Sequence, residues 1–189
     1  YSPVKDKFKA GNYDIKKAEG KLSITPITTQ ITVTAKDAEK VYDGTPLTEA
    51  SVTYTAGVLC EGDRLEAVVK GSQTDAGQSA NKVTSVKVMK GDQDVTNNYT
   101  FGQSIDGTLT VKAREIELTS GSAEKTYDGT PLTKKEVKVT KGSFADGEGF
   151  DYTVTGSQTY AGNSDNEFTY AAKAGTKLTN YTVTTKYGK

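Results

Sequence analysis

Apolar and polar residues alternate along most of this chain. Ile31-Thr-Val33-Thr-Ala35, Val52-Thr-Tyr54, Val86-Lys-Val88, Tyr99-Thr-Phe101 and Leu109-Thr-Val111 follow a period of two. So do Val137-Lys-Val139, Phe150-Asp-Tyr152-Thr-Val154 and Tyr181-Thr-Val183. Successive side chains of a strand point to opposite faces, so these stretches predict half-buried β-strands. No stretch keeps a 3.6-residue stripe long enough to predict a helix. Leu65-Glu-Ala-Val-Val-Lys fits a helical turn taken alone, but the matching segment of the second half, Phe150-Asp-Tyr-Thr-Val-Thr, is strand-like, and the pair together predicts a strand. Short strands between Gly-rich turns predict an all-β fold, either an Ig-like sandwich or a mostly-β, grasp-like sheet.

The strands belong to a duplicated unit. Lys40-Val-Tyr42-Asp43-Gly44-Thr45-Pro46-Leu47-Thr48 returns as Lys125-Thr-Tyr127-Asp128-Gly129-Thr130-Pro131-Leu132-Thr133, an offset of 85 residues (127 − 42). The same offset carries Gly71-Ser-Gln-Thr74 onto Gly156-Ser-Gln-Thr159 and Ala76-Gly77 onto Ala161-Gly162. It falls to 82 at Asn98-Tyr99 against Asn180-Tyr181 (180 − 98), which places a three-residue shortening in the loop before that strand. Self-similarity of this kind marks a repeat protein.

A partial third copy stands at the N-terminus. Asn12-Tyr13-Asp14-Ile15 and Gly20-Lys21-Leu22-Ser23-Ile24 resemble Asn98-Tyr99-Thr100-Phe101 and Gly107-Thr108-Leu109-Thr110-Val111. Residues 1–30 are therefore expected to be the C-terminal strands of a preceding repeat. Residues 31–113 form a complete repeat domain, and residues 114–189 form a second repeat domain lacking its final strand, which would begin at Gly188-Lys189. About three residues separate the strand at 107–112 from the one at 116–120, too few for a floppy linker. The domains are expected to stand end to end as an elongated rod. A missing last strand leaves an open sheet edge, and residues 20–25 of another molecule have the pattern to fill it by head-to-tail strand exchange.

The Tyr-Asp-Gly block has a conformational logic. Asp43-Gly44 and Asp128-Gly129 suit a turn that needs positive φ, and Pro46 and Pro131 hold the following chain extended. Tyr42 and Tyr127 would then anchor the turn against the core. The four blocks, in order and twice over, resemble the YDG/MBG-type tandem repeats of bacterial cell-surface, adhesin-like proteins. The resemblance implies a secreted, extracellular setting on a Gram-positive cell wall. It implies a stalk or spacer that projects a distal binding region, whose partners are adjacent repeats of the same protein. The alternative is an adhesive module for a host glycan or protein.

Composition narrows the chemistry. Lys plus Arg is 24 and Asp plus Glu is 24, a net charge of zero, and the basic residues are scattered. No field recruits nucleic acid or an anionic membrane, and no apolar run approaches the roughly 20 residues of a membrane span. The chain has no His and one Cys, so a Cys/His nucleophilic pair and an internal disulfide are both excluded; Cys60 is expected to be a small buried apolar residue. Low apolar content with 11 Tyr predicts thin cores filled by tyrosine, with Tyr54, Tyr152 and Tyr170 among them. Asp43 and Asp128 recur, but each sits in a turn beside Gly and no second acid recurs nearby in a way that implies a shared cleft, so a glycosidase carboxylate pair is not expected. Asp92-Gln-Asp94-Val-Thr-Asn97-Asn98 has the oxygens of a calcium loop but lacks the Gly and distal Glu of an EF-hand, and its counterpart has lost the acids. No cofactor, metal or catalytic residue is expected, and the protein is taken as non-enzymatic. Lys40 with Asn98 and Lys125 with Asn180 are the candidates for a Lys–Asn isopeptide cross-link between first and last strands.

Overall fold

The computed structural model describes residues 11, 13–14, 16–55 and 58–189. The described chain is mostly β, with short 3-10 turns at Thr96–Asn98 and Leu178–Asn180. Part of the Asn12–Ile15 segment lies outside the described residues. Residues 16–26 carry no strand, and Leu22 and Ile24 are almost fully exposed, so the strand expected at 20–24 is not paired here.

The first copy opens with β1 (Gln30–Ile31), β2 (Val33–Ala35), β3 (Ala38–Val41) and β4 (Val52–Tyr54). It continues through β5 (Asp63–Lys70), β6 (Gly77–Lys90), β7 (Gln93–Asp94), β8 (Thr100–Phe101) and β9 (Gly107–Lys112). β1 runs parallel to β8, and β2 runs antiparallel to β4. A larger sheet has the order β3-β9-β6-β5, with β7 on β6. The segment read as either helical turn or strand, Leu65 to Lys70, is part of β5 and pairs antiparallel with β6. Ile31 and Val33 meet Val88 and Tyr99 in one core, with Leu65, Val83 and Val86 packed on it. Alternation explains that core: Ile31, Val33 and Ala35 all face inward and are buried, while Thr32 and Thr34 between them are not.

The second copy comprises β10 (Arg114–Ser120), β11 (Val137–Lys141), β12 (Phe150–Val154), β13 (Phe168–Ala172) and β14 (Tyr181–Lys186). β10 lies between β11, antiparallel, and β14, parallel. Its registers repeat those of the first copy. Leu118 faces Val139 as Val33 faces Tyr54, and Glu115 faces Thr182 as Gln30 faces Thr100. β12 and β13 reproduce the β5–β6 hairpin. The three-residue shortening is not confined to one loop. β6 carries a bulge beside Val69 that β13 lacks, which removes one residue already within the strand. A bulge inserts a single unpaired residue and bends the strand, a change invisible to a count of loop residues.

Two sequence expectations fail on burial. Cys60 is exposed: it sits in the turn ahead of β5, where its carbonyl accepts from Asp63 N–H and its own N–H is given to the Tyr99 hydroxyl. Tyr54 is 42% exposed although it stands opposite the buried Val33, while Tyr152 and Tyr170 are half-buried.

Candidate functional site

The repeated turn is closed by its own side chains. Lys40 Nζ donates to Asp43 Oδ1 at 2.7 Å and to the Thr45 carbonyl at 2.6 Å. Asp43 Oδ1 also accepts the Thr45 N–H at 2.9 Å and its hydroxyl at 2.8 Å. Lys125, Asp128 and Thr130 repeat the arrangement. The lysine, followed by the Thr45 donors, holds the Asp43 carboxyl well below the usual carboxylate range, and Asp128 is lowered in the same way. Gly44 and Gly129 take the positive φ, at 82° and 78°, that the turn demands. Leu47 and Leu132, just beyond the prolines, bridge to Gln73 and Gln158. Those glutamines in turn hold their own loops through Asp75 O and Tyr160 O, both at 2.7 Å. The recurrence of Gly-Ser-Gln-Thr is thus accounted for by loop closure.

The two turns differ in what they touch. Tyr42 is 4% exposed, and it is buried in the core of the second copy together with Ile116, Leu118, Phe150 and Tyr181. Its ring meets Tyr181 edge to face at 5.7 Å. Its hydroxyl donates to Glu148 Oε1, while the Tyr181 hydroxyl donates to Glu148 Oε2 at 2.5 Å. One carboxylate thereby receives both tyrosines, and the Ala145 N–H completes the Tyr181 hydroxyl at 2.9 Å. Burial, then the hydrogen bond to Glu148, pushes the Tyr181 phenol up to about 12, and Tyr42 is raised by the same two causes. Tyr127, the equivalent of Tyr42, is 63% exposed.

A second cluster lies beside the first. Lys177 Nζ pairs with Asp75 Oδ2 at 2.5 Å. Asn180, fully buried, gives its amide N–H to Asp75 Oδ1 at 3.0 Å and accepts the Ala76 N–H at 2.8 Å. Lys177, then Asn180, lowers the Asp75 carboxyl. In the Asp-rich 92–98 loop, Asp94 accepts from Thr96 N–H at 3.0 Å and pairs with Lys87 at 3.5 Å. Among the described residues no group of three or more acids or cysteines is placed to hold a metal.

Of the cross-link candidates, Lys40, Lys125 and Asn180 have hydrogen-bonded side chains. Lys40 and Lys125 are engaged by Asp and Thr of their own turns, and the Asn180 amide is engaged by Asp75 and Ala76. The Asn98 carbonyl accepts the Ile27 N–H. Of the first turn, Tyr42 enters the second copy's core and a Cβ on Gly44 would meet Ala145 at 3.5 Å, while Tyr127, on the same turn built by Asp128, Gly129 and Pro131, is 63% exposed.

Residues that the sequence motifs passed over hold the scaffold. Asn81 Nδ2 donates to the carbonyls of Lys36 and Glu49, and Asn166 Nδ2 donates to those of Gly121 and Lys134, all between 2.8 and 3.0 Å. Glu148 and its counterpart Asp63 both take a tyrosine hydroxyl, Asp63 from Tyr99 at 2.6 Å. The signal was present, since both pairs stand at the repeat offset of 85 (166 − 81 and 148 − 63). No protein-family model, curated protein or solved structure matches the chain.

Proposed function

We propose that this chain is a non-enzymatic stalk or spacer: small β-domains in tandem, set end to end as a stiff rod, that project a distal binding region from a bacterial surface. The observation that carries this reading is the Tyr42–Glu148–Tyr181 contact between the two copies. A single residue, Ala113, separates β9 from β10. A connection that short, flanked by a buried tyrosine and the Lys177–Asp75–Asn180 cluster, resists hinge motion, and hinge freedom is what a spacer must lack. The resemblance of the Tyr-Asp-Gly blocks to YDG/MBG-type repeats supports an extracellular, cell-wall-attached setting. No helix of the described residues is long and apolar enough to cross a membrane.

An adhesive role would call for an exposed aromatic patch present in both copies. Tyr127 and Tyr160 are exposed at 63% and 76%, but their first-copy equivalents are the buried Tyr42 and an aspartate, Asp75. The patch is private to one copy, which favours the stalk. A glycan array combined with small-angle scattering tests the reading. An elongated particle with a blank array is expected; a reproducible strong glycan hit overturns it.

A further inference from the structure

Two phenols share one carboxylate where the copies touch. Tyr42 of the first copy and Tyr181 of the second both donate to Glu148, one to each oxygen. Their rings meet edge to face, with centroids 5.7 Å apart and an interplanar angle of 82°. The hydroxyls converge on a single carboxyl group, and the ring carbons ortho to each hydroxyl converge with them. Tyr42 is 4% exposed and Tyr181 is 6% exposed. Other ring contacts of this core, Phe144–Tyr181, Phe150–Tyr181 and Phe150–Tyr170, offer one phenol each.

The pair is assembled between copies and not within one. Tyr99, the first-copy equivalent of Tyr181, is buried in the other core with Ile31, Val33 and Val88, and it donates to Asp63. Tyr42 stands in the second copy's core. A covalent bond between positions 42 and 181 would therefore join one copy to the next, and it could form only where the two are docked.

Burial, followed by the bond to Glu148, raises both phenols, Tyr181 to about 12. At neutral pH each is a protonated phenol already bonded to an acceptor. Such a phenol gives up an electron together with its proton, and Glu148 is in place to take the proton. Only an electron has to leave the core, so the oxidant needs no contact with the rings. Exclusion of water protects the radicals from side reactions. Two radicals held in contact need no bimolecular encounter. To bond, the centroids must close from 5.7 Å by about one carbon–carbon bond length.

We propose that Tyr42 and Tyr181 are an oxidative modification site, which a peroxide-driven one-electron oxidant converts to a dityrosine bond between the two copies. Each phenol loses one electron to the oxidant and its hydroxyl proton to Glu148, which passes the protons to solvent one after the other. The radicals then form a carbon–carbon bond at a position ortho to each oxygen. Each ring returns the hydrogen of its bonded carbon, as a proton, to its own oxygen, which restores the aromatic ring and the hydroxyl. Overall, two C–H bonds break, one C–C bond forms, and two electrons and two protons leave. Hydrogen peroxide takes them up and becomes two water molecules. The product holds the copies together even when the hydrogen bonds to Glu148 are lost.

A haem peroxidase with hydrogen peroxide, applied to dilute protein, tests this. The monomeric product is separated, digested with trypsin and analysed by mass spectrometry. Cleavage after Lys40, Arg64, Lys177 and Lys186 gives the peptides 41–64 and 178–186. They are expected as one joined species, lighter than their sum by two hydrogens, with fragmentation placing the bond at Tyr42 and Tyr181. Tyr42→Phe and Tyr181→Phe are each expected to abolish the joined species and to keep the circular dichroism spectrum of wild type. Glu148→Gln keeps the shape but removes the base, and is expected to slow the reaction at least about tenfold. Tyr127 and Tyr160, both exposed, couple between molecules and report that the oxidant is active. Their coupling without a joined 41–64/178–186 peptide overturns the proposal. So does a joined peptide that survives Tyr42→Phe, or a Glu148→Gln variant that cross-links as fast as wild type. The site depends on the contact of two rings and not on what the protein is for. Failure to cross-link would leave the stalk reading standing, and a glycan ligand would overturn that reading and leave the cross-link untouched.

Discussion

Tyr42 and Glu148, 106 residues apart, form the hydrogen bond that ties the turn of one repeat copy into the core of the next. Glu148 is already the acceptor for Tyr181 within its own copy. The local pair is an internal feature of each copy, present also as Tyr99–Asp63. The inter-copy bond is made by adding one more tyrosine to an existing acceptor. A repeat protein joined this way needs no dedicated linker chemistry, because every copy carries both the tyrosine and the carboxylate.

Tyr42→Phe is expected to destabilise the protein by about 1.5–3 kcal/mol, the range for a hydrogen bond to a charged group. Tyr127→Phe changes an exposed ring and is expected to fall within about 0.5 kcal/mol of wild type. Urea unfolding of both variants, with a Tyr42→Phe/Glu148→Gln cycle, separates the bond from the ring packing. Equal effects at the two tyrosines would remove Tyr42 from the junction.

Alkaline stability should report the two internal tyrosines. The phenols of Tyr99 and Tyr181 are pushed up to about 12 from 10.0, chiefly by burial and then by hydrogen bonds to Asp63 and Glu148. A raised phenol favours the protonated form in the native state. Its contribution is complete below pH 10 and is lost as pH rises from 10 towards 12, where the unfolded chain has released protons that the native chain retains. Denaturation midpoints are expected to fall across that window. Tyrosinate absorbance is expected to show late-titrating phenols, Tyr99 and Tyr181 with Tyr42 also raised, and Tyr181→Phe to remove one of them.

Acid should leave the turns intact longer than an ordinary carboxylate would allow. Asp43 and Asp128 are held low first by Lys40 and Lys125, then by the Thr45 and Thr130 donors. A depressed carboxyl stabilises the fold above its unfolded value of 3.8, and that contribution is lost only as pH falls through the lower native value. Carboxyl chemical shifts followed by NMR should give both residues midpoints below 3.8. Lys40→Met should raise the Asp43 midpoint and leave that of Asp128 in place.

The sequence made the repeat and its inward-facing strands legible, and the reasons are local. Ile31, Val33 and Ala35 alternate with threonine, and the 85-residue offset places Ile116, Leu118 and Ser120 at the same positions, all of them buried. What escaped was non-local. Nothing near Tyr42 says that its core belongs to the other copy, since its partner lies across a sheet and a junction. Cys60 was judged by residue type, whereas it stands exposed in the turn ahead of β5, its backbone bonded to Asp63 and Tyr99. Asn81 and Asn166 looked like ordinary polar strand positions, because a buried amide is distinguished only by the carbonyls it finds.

Those asparagines give the sharpest test of the scaffold. Each is buried and gives both amide protons to carbonyls of two separate segments, Lys36 with Glu49 and Gly121 with Lys134. Aspartate has the same shape but no N–H to give, so it would face two carbonyls with a carboxylate. Asn166→Asp is therefore expected to be at least as damaging as Asn166→Ala, and each to cost about 2 kcal/mol or more, because buried acceptors are left unpaired. The facing glycine belongs to the same device. A Cβ on Gly156 would lie 2.4 Å from Asn166 Oδ1 and 2.5 Å from its Cα, so Gly156→Ala should destabilise by displacing the amide. Gly129 also needs its positive φ but meets nothing within 4 Å, so Gly129→Ala should cost only the backbone strain, about 1 kcal/mol. Urea midpoints for the four variants should rank Gly129→Ala as the mildest. An Asn166→Asp variant as stable as wild type would show that the amide protons do not hold the two segments together.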